Sequence, residues 1–337
     1  MNKILLVLFS AMSLGVFAQN VSFSTLLKDD ISIRALQIND GKVWYTGTDS
    51  KFGYVNINDS TEKKQLILSD KKFQFRTLAQ TRTAFYTVNI ESPAYFFKIN
   101  KKDLSSRIIA ADTVKTAFFD AFIFDQKNRG LAVSDPYKDG KAHFKLFFNS
   151  KVPVHSYPSY LPGEAHFAAS NSNIAMKGNN IWIASGGTHA RIFKNNLKKP
   201  NIWNVYKTPF IQGTSSQGIY SIDFYNDQFG IAVGGDYTKQ EENINNIATT
   251  NDGGKTWEIQ ASGTNGGYKT CVKIRPKSKG KDIVAVGDQN IEFSSDYGKT
   301  WKIISEEKGL YVCEWVDANT LVFAGKNRII KMKLNEQ

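Results

Sequence analysis

The chain has 337 residues, with 43 Lys and Arg against 31 Asp and Glu, a formal net charge of +12 and two Cys. Two cysteines exclude a disulfide-stapled scaffold, and no C-x-x-C pair offers a zinc or thiol-redox site. The basic excess is scattered through pairs such as Lys63-Lys64, Lys101-Lys102 and Lys198-Lys199, without the dense stripe that nucleic acid requires, so no nucleic-acid partner is expected.

Residues 1–18, "MNKILLVLFSAMSLGVFA", join one positive charge at Lys3 to an apolar run and a small residue at Ala18. This is the pattern of a secretory signal peptide. The run is shorter than the roughly 18 to 20 residues of a membrane span, and no stop-transfer charges follow it. Cleavage after Ala18 is therefore expected, giving a secreted or periplasmic chain with no membrane span; removing Lys3 takes the charge from +12 to +11. Residues 19–337 contain no linker, charge block or low-complexity tract, which predicts a single domain.

After residue 20 the apolar runs are short, rich in Val, Ile, Phe, Tyr and Trp, and broken by Asn, Asp, Gly and Lys. That punctuation predicts strands, and nothing sustains a helical period. Residues 21–27, "VSFSTLL", form the first expected strand. A repeating unit follows, recognised by its second strand and the loop after it. These read "VWYTGTDS" from Val43, "AFYTVNIES" from Ala84, "GLAVSDP" from Gly130, "IWIASGG" from Ile181, "GIAVGGD" from Gly230, "IVAVGDQ" from Ile283 and "LVFAGKN" from Leu321. Spacings of about 38 to 53 residues suit one four-stranded propeller blade each. Only "RIIKMKL", from Arg328, follows the seventh copy, so the last unit is one strand short and residues 21–27 are available to complete it. The expected fold is all-β: a seven-bladed β-propeller of four-stranded antiparallel blades, closed by the N-terminal strand.

Two turns share one phrase, "NDGGKTW" around Asp252 and "SDYGKTW" around Asp296, 44 positions apart. The Asp carboxylate suits backbone N–H groups within the turn, Gly254 and Gly298 suit positive φ, and Trp257 and Trp301 suit a gap between sheets. The phrase resembles the Asp box, the bacterial neuraminidase repeat. That resemblance implies a scaffold role at the blade periphery and not catalysis. Longer phrases, "FFDAFIFDQKNRGLAVSDP" from Phe118, "LPGEAHFAAS" from Leu161 and "GIYSIDFYNDQFGIAVGGDYTKQEEN" from Gly218, resemble a family of exported bacterial propellers related to the photosystem II stability and assembly factor of plants and cyanobacteria. Such proteins often carry loose names such as oxidoreductase or glycosyl hydrolase. No G-x-G-x-x-G follows a strand and no haem or flavin signature is present, so no cofactor is expected. The four His show no H-x-H or H-E-x-x-H spacing, which predicts no metal site. A sialidase would carry F/Y-R-I-P near its start; "ISIRAL" from Ile31 keeps Arg34 and lacks the Pro.

In a propeller the loop after each second strand and the connector into each first strand open on one face of the pore. The connectors bring Arg34, Arg76, Asp120, Glu164, His166, Tyr220, Tyr268, Lys269 and Tyr311 to that face; the loops add Asp49, Asp135, Arg191, Asp236, Tyr237, Asp288 and Arg328. Arg34 with Arg76 suits a carboxylate or sulfate. Glu164 and Asp120, with Asp135, are the carboxyls available for acid and base work across a glycosidic bond. Two long loops, residues 150–163 and 236–246, are placed to shape a pocket over the pore. Cys271 and Cys313 occupy corresponding first strands of adjacent units and are expected as two buried free thiols, with a disulfide between them as the alternative. The expected function is an exported binding or assembly module, monomeric, with a protein or anionic glycan partner. The alternative is a glycan-acting hydrolase or lyase.

Overall fold

The computed structural model describes residues 21–147 and 156–334; the expected signal peptide, residues 1–18, lies outside them, as does part of the loop over residues 150–163. Among the described residues every regular element is a strand. The first four are β1 (Val21–Asn39), β2 (Lys42–Gly47), β3 (Lys51–Asn56) and β4 (Lys63–Ile67). A four-stranded sheet follows, β5 (Ala79–Gln80), β6 (Ala84–Val88), β7 (Ala94–Asn100) and β8 (Ser106–Asp112). The next sheet has three strands among the described residues, β9 (Phe119–Phe124), β10 (Gly130–Ser134) and β11 (His143–Phe147). After the two-residue β12 (Glu164–Ala165) come β13 (Ile174–Lys177), β14 (Asn180–Ala184), the short β15 (Gly186–Gly187), β16 (Arg191–Asn196) and β17 (Lys199–Lys207). Of these, β13, β14, β16 and β17 make one sheet. The short β12 and β15 instead extend the sheet of β18 (Gln217–Phe224), β19 (Gly230–Asp236), β20 (Ile247–Thr250) and β21 (Glu258–Ile259) to six strands. A four-stranded sheet of β22 (Cys271–Ile274), β23 (Ile283–Val286), β24 (Ile291–Ser294) and β25 (Lys302–Ser305) precedes β26 (Leu310–Trp315) and β27 (Thr320–Leu334).

The fold is an all-β propeller, but it has six blades and not the expected seven, and its blades are not uniformly four-stranded. The reason lies in two strands that run on where turns were expected. β27 pairs with β26 as far as Gly325 and with β1 from Lys326 onward; β1 pairs with β27 as far as Ser32 and with β2 from Ile33 onward. The result is one six-stranded sheet, ordered β26-β27-β1-β2-β3-β4. Its N-terminal residues are zipped to the C-terminal strand, Val21 opposite Leu334 and Lys28 opposite Arg328, within this sheet and not as the fourth strand of a separate blade.

Strands β5, β9, β13, β18, β22 and β26 pack side to side in that order, and β26 meets β1. Gln37 and Gln80 close the circle by donating from their side-chain amides to Leu78 O and Ile38 O. The second strands are buried on both faces, which explains their unbroken apolar runs: every residue of β19 and β23 is buried. Aromatic rings fill the wedges between sheets. Trp44 packs on Phe85 of the next sheet with ring centroids 4.5 Å apart, and Trp182 stacks on Phe224 at 3.9 Å. Each such pair adds about 0.5–1.5 kcal/mol to burial. The outer strand β4 is mostly exposed and carries Lys63 and Lys64, charges that blunt an edge open to pairing.

Both Asp-x-x-x-Thr-Trp turns have one geometry. Asp252 accepts from the backbone N–H of Lys255 and Thr256 and from the hydroxyls of Thr250 and Thr256. Burial alone would raise its pKa; these bonds outweigh burial and hold it at about 2. Gly254, at φ 85°, lies so close to the Trp182 ring that an added Cβ would sit 3.1 Å from it. Trp257 packs with Trp182 and Phe224, and Trp301 with Ile231 and Val233, so each indole bridges its own sheet and the preceding one.

Candidate functional site

The circle of innermost strands encloses a channel, and one connector blocks it. Residues 167–173, between β12 and β13, bond to inner strands around the ring. Arg34 donates to Ala169 O, Ser170 Oγ to Thr270 O, and the Asn171 amide to Leu78 O and Phe122 O. Asn171 Oδ1 accepts from Phe122 N, and Ser172 Oγ lies 2.7 Å from Ser221 Oγ. Asn171 takes φ 58°, a conformation that Asn tolerates better than most residues. The connector divides the channel into two cavities that share no lining residue. Phe167, Ala168 and Ala169 line the upper one, of 440 Å³; Ser170, Asn171 and Ser172 line the lower one, of 830 Å³. Three inner strands pass from one to the other within three residues, Arg34 to Gln37, Tyr220 to Asp223 and Tyr311 to Glu314.

Of the residues expected at the site, Arg34, Arg76, His166, Tyr220 and Tyr237 line the upper cavity together with Tyr268, Asp288 and Tyr311. The Arg34 guanidinium carbon lies over the Tyr311 ring, 4.1 Å from its centroid. Among the described residues neither Arg34 nor Arg76 forms an ion pair, and Arg76 makes no hydrogen bond. Burial, and then the neighbouring charge of Arg34, lowers the Arg76 pKa; Asp120 and Glu91 offset part of this. Two guanidinium groups are thus held in one concavity without a paired carboxylate.

The aromatic wall is rigid. Tyr220 stacks on Phe167 at 3.9 Å with planes 3° apart, donates its hydroxyl to Ser216 O, and meets Tyr268 edge-on at 4.8 Å. Burial raises the pKa of both tyrosines, so both are neutral phenols. Tyr237, 51% exposed, stands at the rim on the β19–β20 loop. That loop folds over the cavity: Gln240 lines it, accepts from Tyr268 N through its carbonyl, and takes the Gln289 amide on its side-chain oxygen.

His166 is saturated. Its Nδ1–H donates to Ala184 O at 2.8 Å, which leaves Nε2 to accept from the Tyr160 hydroxyl at 2.6 Å. Burial drives its pKa to about 4, so the ring is neutral near pH 7.

Four expected residues fall outside the cavity lining. Glu164 is gripped by Arg191, with Nε 2.9 Å from Oε1 and Nη2 2.5 Å from Oε2, and also accepts from Ser185 Oγ and Leu161 N. Both of its carboxylate oxygens are committed to these four donors. Asp120 is fully buried, and neither oxygen has a hydrogen-bond partner. Burial, then Asp135, pushes its pKa well above the usual carboxylate range, and the Arg76 charge acts in the opposite sense. Asp135 accepts from His166 N, and burial raises its pKa to about 6. Asp236 caps its own loop, accepting from Thr238 N and Oγ1.

The loop and connector positions named with them are structural too. Lys269 is buried against Glu292 at 2.8 Å, and Arg328 pairs with Glu307 at 2.7 Å. Asp49 sits in the β2–β3 turn at φ 56°. Cys271 and Cys313 are free and buried, with sulfurs 3.9 Å apart. Among the described residues no group of three or more His, Cys, Asp or Glu is arranged to hold a metal ion, and no helix is long and apolar enough to cross a membrane.

Phe118, Phe167–Ala169, Ser215, Gln240 and Thr270 also line the cavity and were not singled out from sequence. Gln240 alone carried a signal, as part of the long loop over residues 236–246.

No protein-family model matches the chain, and no curated protein matches it. Solved structures do. A structure of YCF48 bound to a D1 peptide aligns with a TM-score of 0.64 at 12% identity, covering 94% of this chain and 97% of that one. The WD40 β-propeller domain of Doa1 aligns with a TM-score of 0.61 at 10% identity, covering 94% of this chain and 98% of that one. At these identities the likeness is one of fold: the chain is a β-propeller similar in structure to both.

Proposed function

We propose that this chain is an exported binding module whose upper cavity takes a carboxylate-bearing segment of a protein partner. One observation carries the reading: Arg34 and Arg76 share the 440 Å³ cavity, and neither forms an ion pair among the described residues. Like charges held together at a concave, aromatic-lined mouth gain most from an anion that both guanidinium groups grip. The bound peptide in the YCF48 structure favours a peptide ligand on this scaffold. In the same reading residues 1–18 direct export, and the turns at Asp252 and Asp296 are Asp boxes that brace the blades. The hydrolase alternative needs two carboxyls facing a shared cavity; Glu164 is bound by Arg191 and Asp120 does not line the cavity, so we do not adopt it.

The test is selection of random dodecapeptides by display on the wild-type chain, followed by affinity measurement on Arg34→Ala/Arg76→Ala. Acidic peptides should be enriched and should lose roughly a hundredfold in affinity on the double variant, since charged hydrogen bonds contribute about 1.5–3 kcal/mol each. Enriched peptides that bind the double variant as tightly as the wild type refute the reading.

A further inference from the structure

A second basin, of 920 Å³, opens beside the upper cavity, and Asp288 and Tyr311 line both. It is lined by residues 307–309, just before β26, by residues 326–328 of β27, and by Lys28, Asp29 and Asp30 of β1. The basin therefore lies over the seam where the two chain ends pair. Arg328 is paired with Glu307 at 2.7 Å and Asp29 with Lys51 at 2.9 Å. Lys28, Lys308 and Lys326 are exposed and form no ion pair among the described residues.

Either basin alone is within the roughly 300–1,000 Å³ of a small-molecule pocket; joined across Tyr311 they exceed it and make a trough suited to a chain. The charges also select the kind of chain. Unpaired cations stand at the Arg34/Arg76 end and at the Lys308/Lys326 end, but Asp288 stands between them and Asp30 beyond. A polyanion charged along its whole length would press an anion against Asp288. A peptide with separated acidic residues would not, and its backbone N–H groups would suit that carboxylate. Tyr237, 51% accessible, lines the upper cavity and offers apolar contact there.

Resting on the reading above, we infer that the ligand is an extended peptide that anchors one carboxylate at Arg34 and Arg76, crosses the Tyr311–Asp288 ridge, and lays a second acidic residue against Lys308 and Lys326. The experiment uses an enriched dodecapeptide, the four-residue fragment carrying its anchoring acid, and a hyaluronan decasaccharide, each titrated against wild type, Arg34→Ala/Arg76→Ala and Lys308→Glu/Lys326→Glu. Both lysines are exposed, so thermal unfolding of the charge-reversed variant should match the wild type. The inference predicts dodecapeptide binding roughly tenfold weaker on Lys308→Glu/Lys326→Glu at low salt, with the gap narrowing as salt rises. The fragment should bind more weakly than the dodecapeptide and be indifferent to the two reversals. If Arg34→Ala/Arg76→Ala abolishes binding while the lysine reversals leave the dodecapeptide unchanged, the single-anchor function stands and the trough falls. A fragment that binds as tightly as the dodecapeptide, or hyaluronan that binds more tightly than either, overturns the inference. A selection that enriches no peptide overturns it together with the reading beneath it.

Discussion

Replacing Glu164 by Gln separates a structural strut from a site residue. The Glu164 side chain is 0% exposed and its Arg191 partner 13%, with four donors on the two carboxylate oxygens. The amide keeps the shape, removes the charge, and turns an –NH2 toward donors that need an acceptor. Removing one partner of a buried pair costs about 3–5 kcal/mol, because the other charge is left uncompensated. For a domain of this size that is a fall in Tm of roughly 5–8 °C. Glu164→Leu/Arg191→Met should recover most of the loss, since apolar pairs of similar volume often replace buried ion pairs without cost. Urea and thermal unfolding measure the stability, and peptide affinity measured well below the transition should match the wild type. The reasoning fails if Glu164→Gln unfolds within about 1 kcal/mol of the wild type while ligand binding or turnover disappears.

Asp135 gives a pH test whose sign is fixed. Its folded pKa, about 6, lies above the unfolded value near 3.8, so its charged form costs stability that grows as pH rises from about 4 through 6. Asp135→Asn should therefore be more stable than the wild type at pH 7, by up to about 3 kcal/mol, with the advantage gone near pH 4; equal stability at both pH values contradicts it. His166 acts in the opposite sense, since its folded pKa of about 4 makes the wild type lose stability as pH falls from 6.5, and His166→Phe should flatten that fall in urea titrations. Asp252→Ala removes every bond its carboxylate accepts in the turn, and chemical denaturation should show a loss of about 2 kcal/mol at neutral pH with peptide affinity unchanged; a loss of affinity instead would move the turn into the site. A thiol reagent should leave the native chain unlabelled and titrate both Cys271 and Cys313 after denaturation without reductant, whereas fewer than two free thiols would show that they are bonded.

The strand content was legible because the second strands are buried on both faces, and apolar runs such as Ile283–Val286 announce that burial directly. Placing Arg34, Arg76, Tyr220 and Tyr237 around one mouth needed only the blade register, which strand alternation and the two Asp turns supply. The number of blades was not legible. "KDD" at residues 28–30 and "KNR" at 326–328 read as turns, yet β1 and β27 continue through them, because each finds a pairing partner on both sides of the polar residues. The connector across the channel was invisible for a different reason. Ala, Ser and Asn in "AASNSN" read as an ordinary loop, and their partners are backbone and side-chain groups up to 135 positions away. Glu164 misled for the same cause: Arg191, 27 residues on, becomes its partner only when β16 begins beside it.

The most direct test of the central claim is a crystal structure of the chain with an enriched acidic dodecapeptide. The account predicts one peptide carboxylate within about 3 Å of both the Arg34 and Arg76 guanidinium groups, seated against Tyr311 above the Phe167–Ala169 floor. A peptide bound in the lower cavity or along an outer strand, with both guanidinium groups left bare, would contradict it.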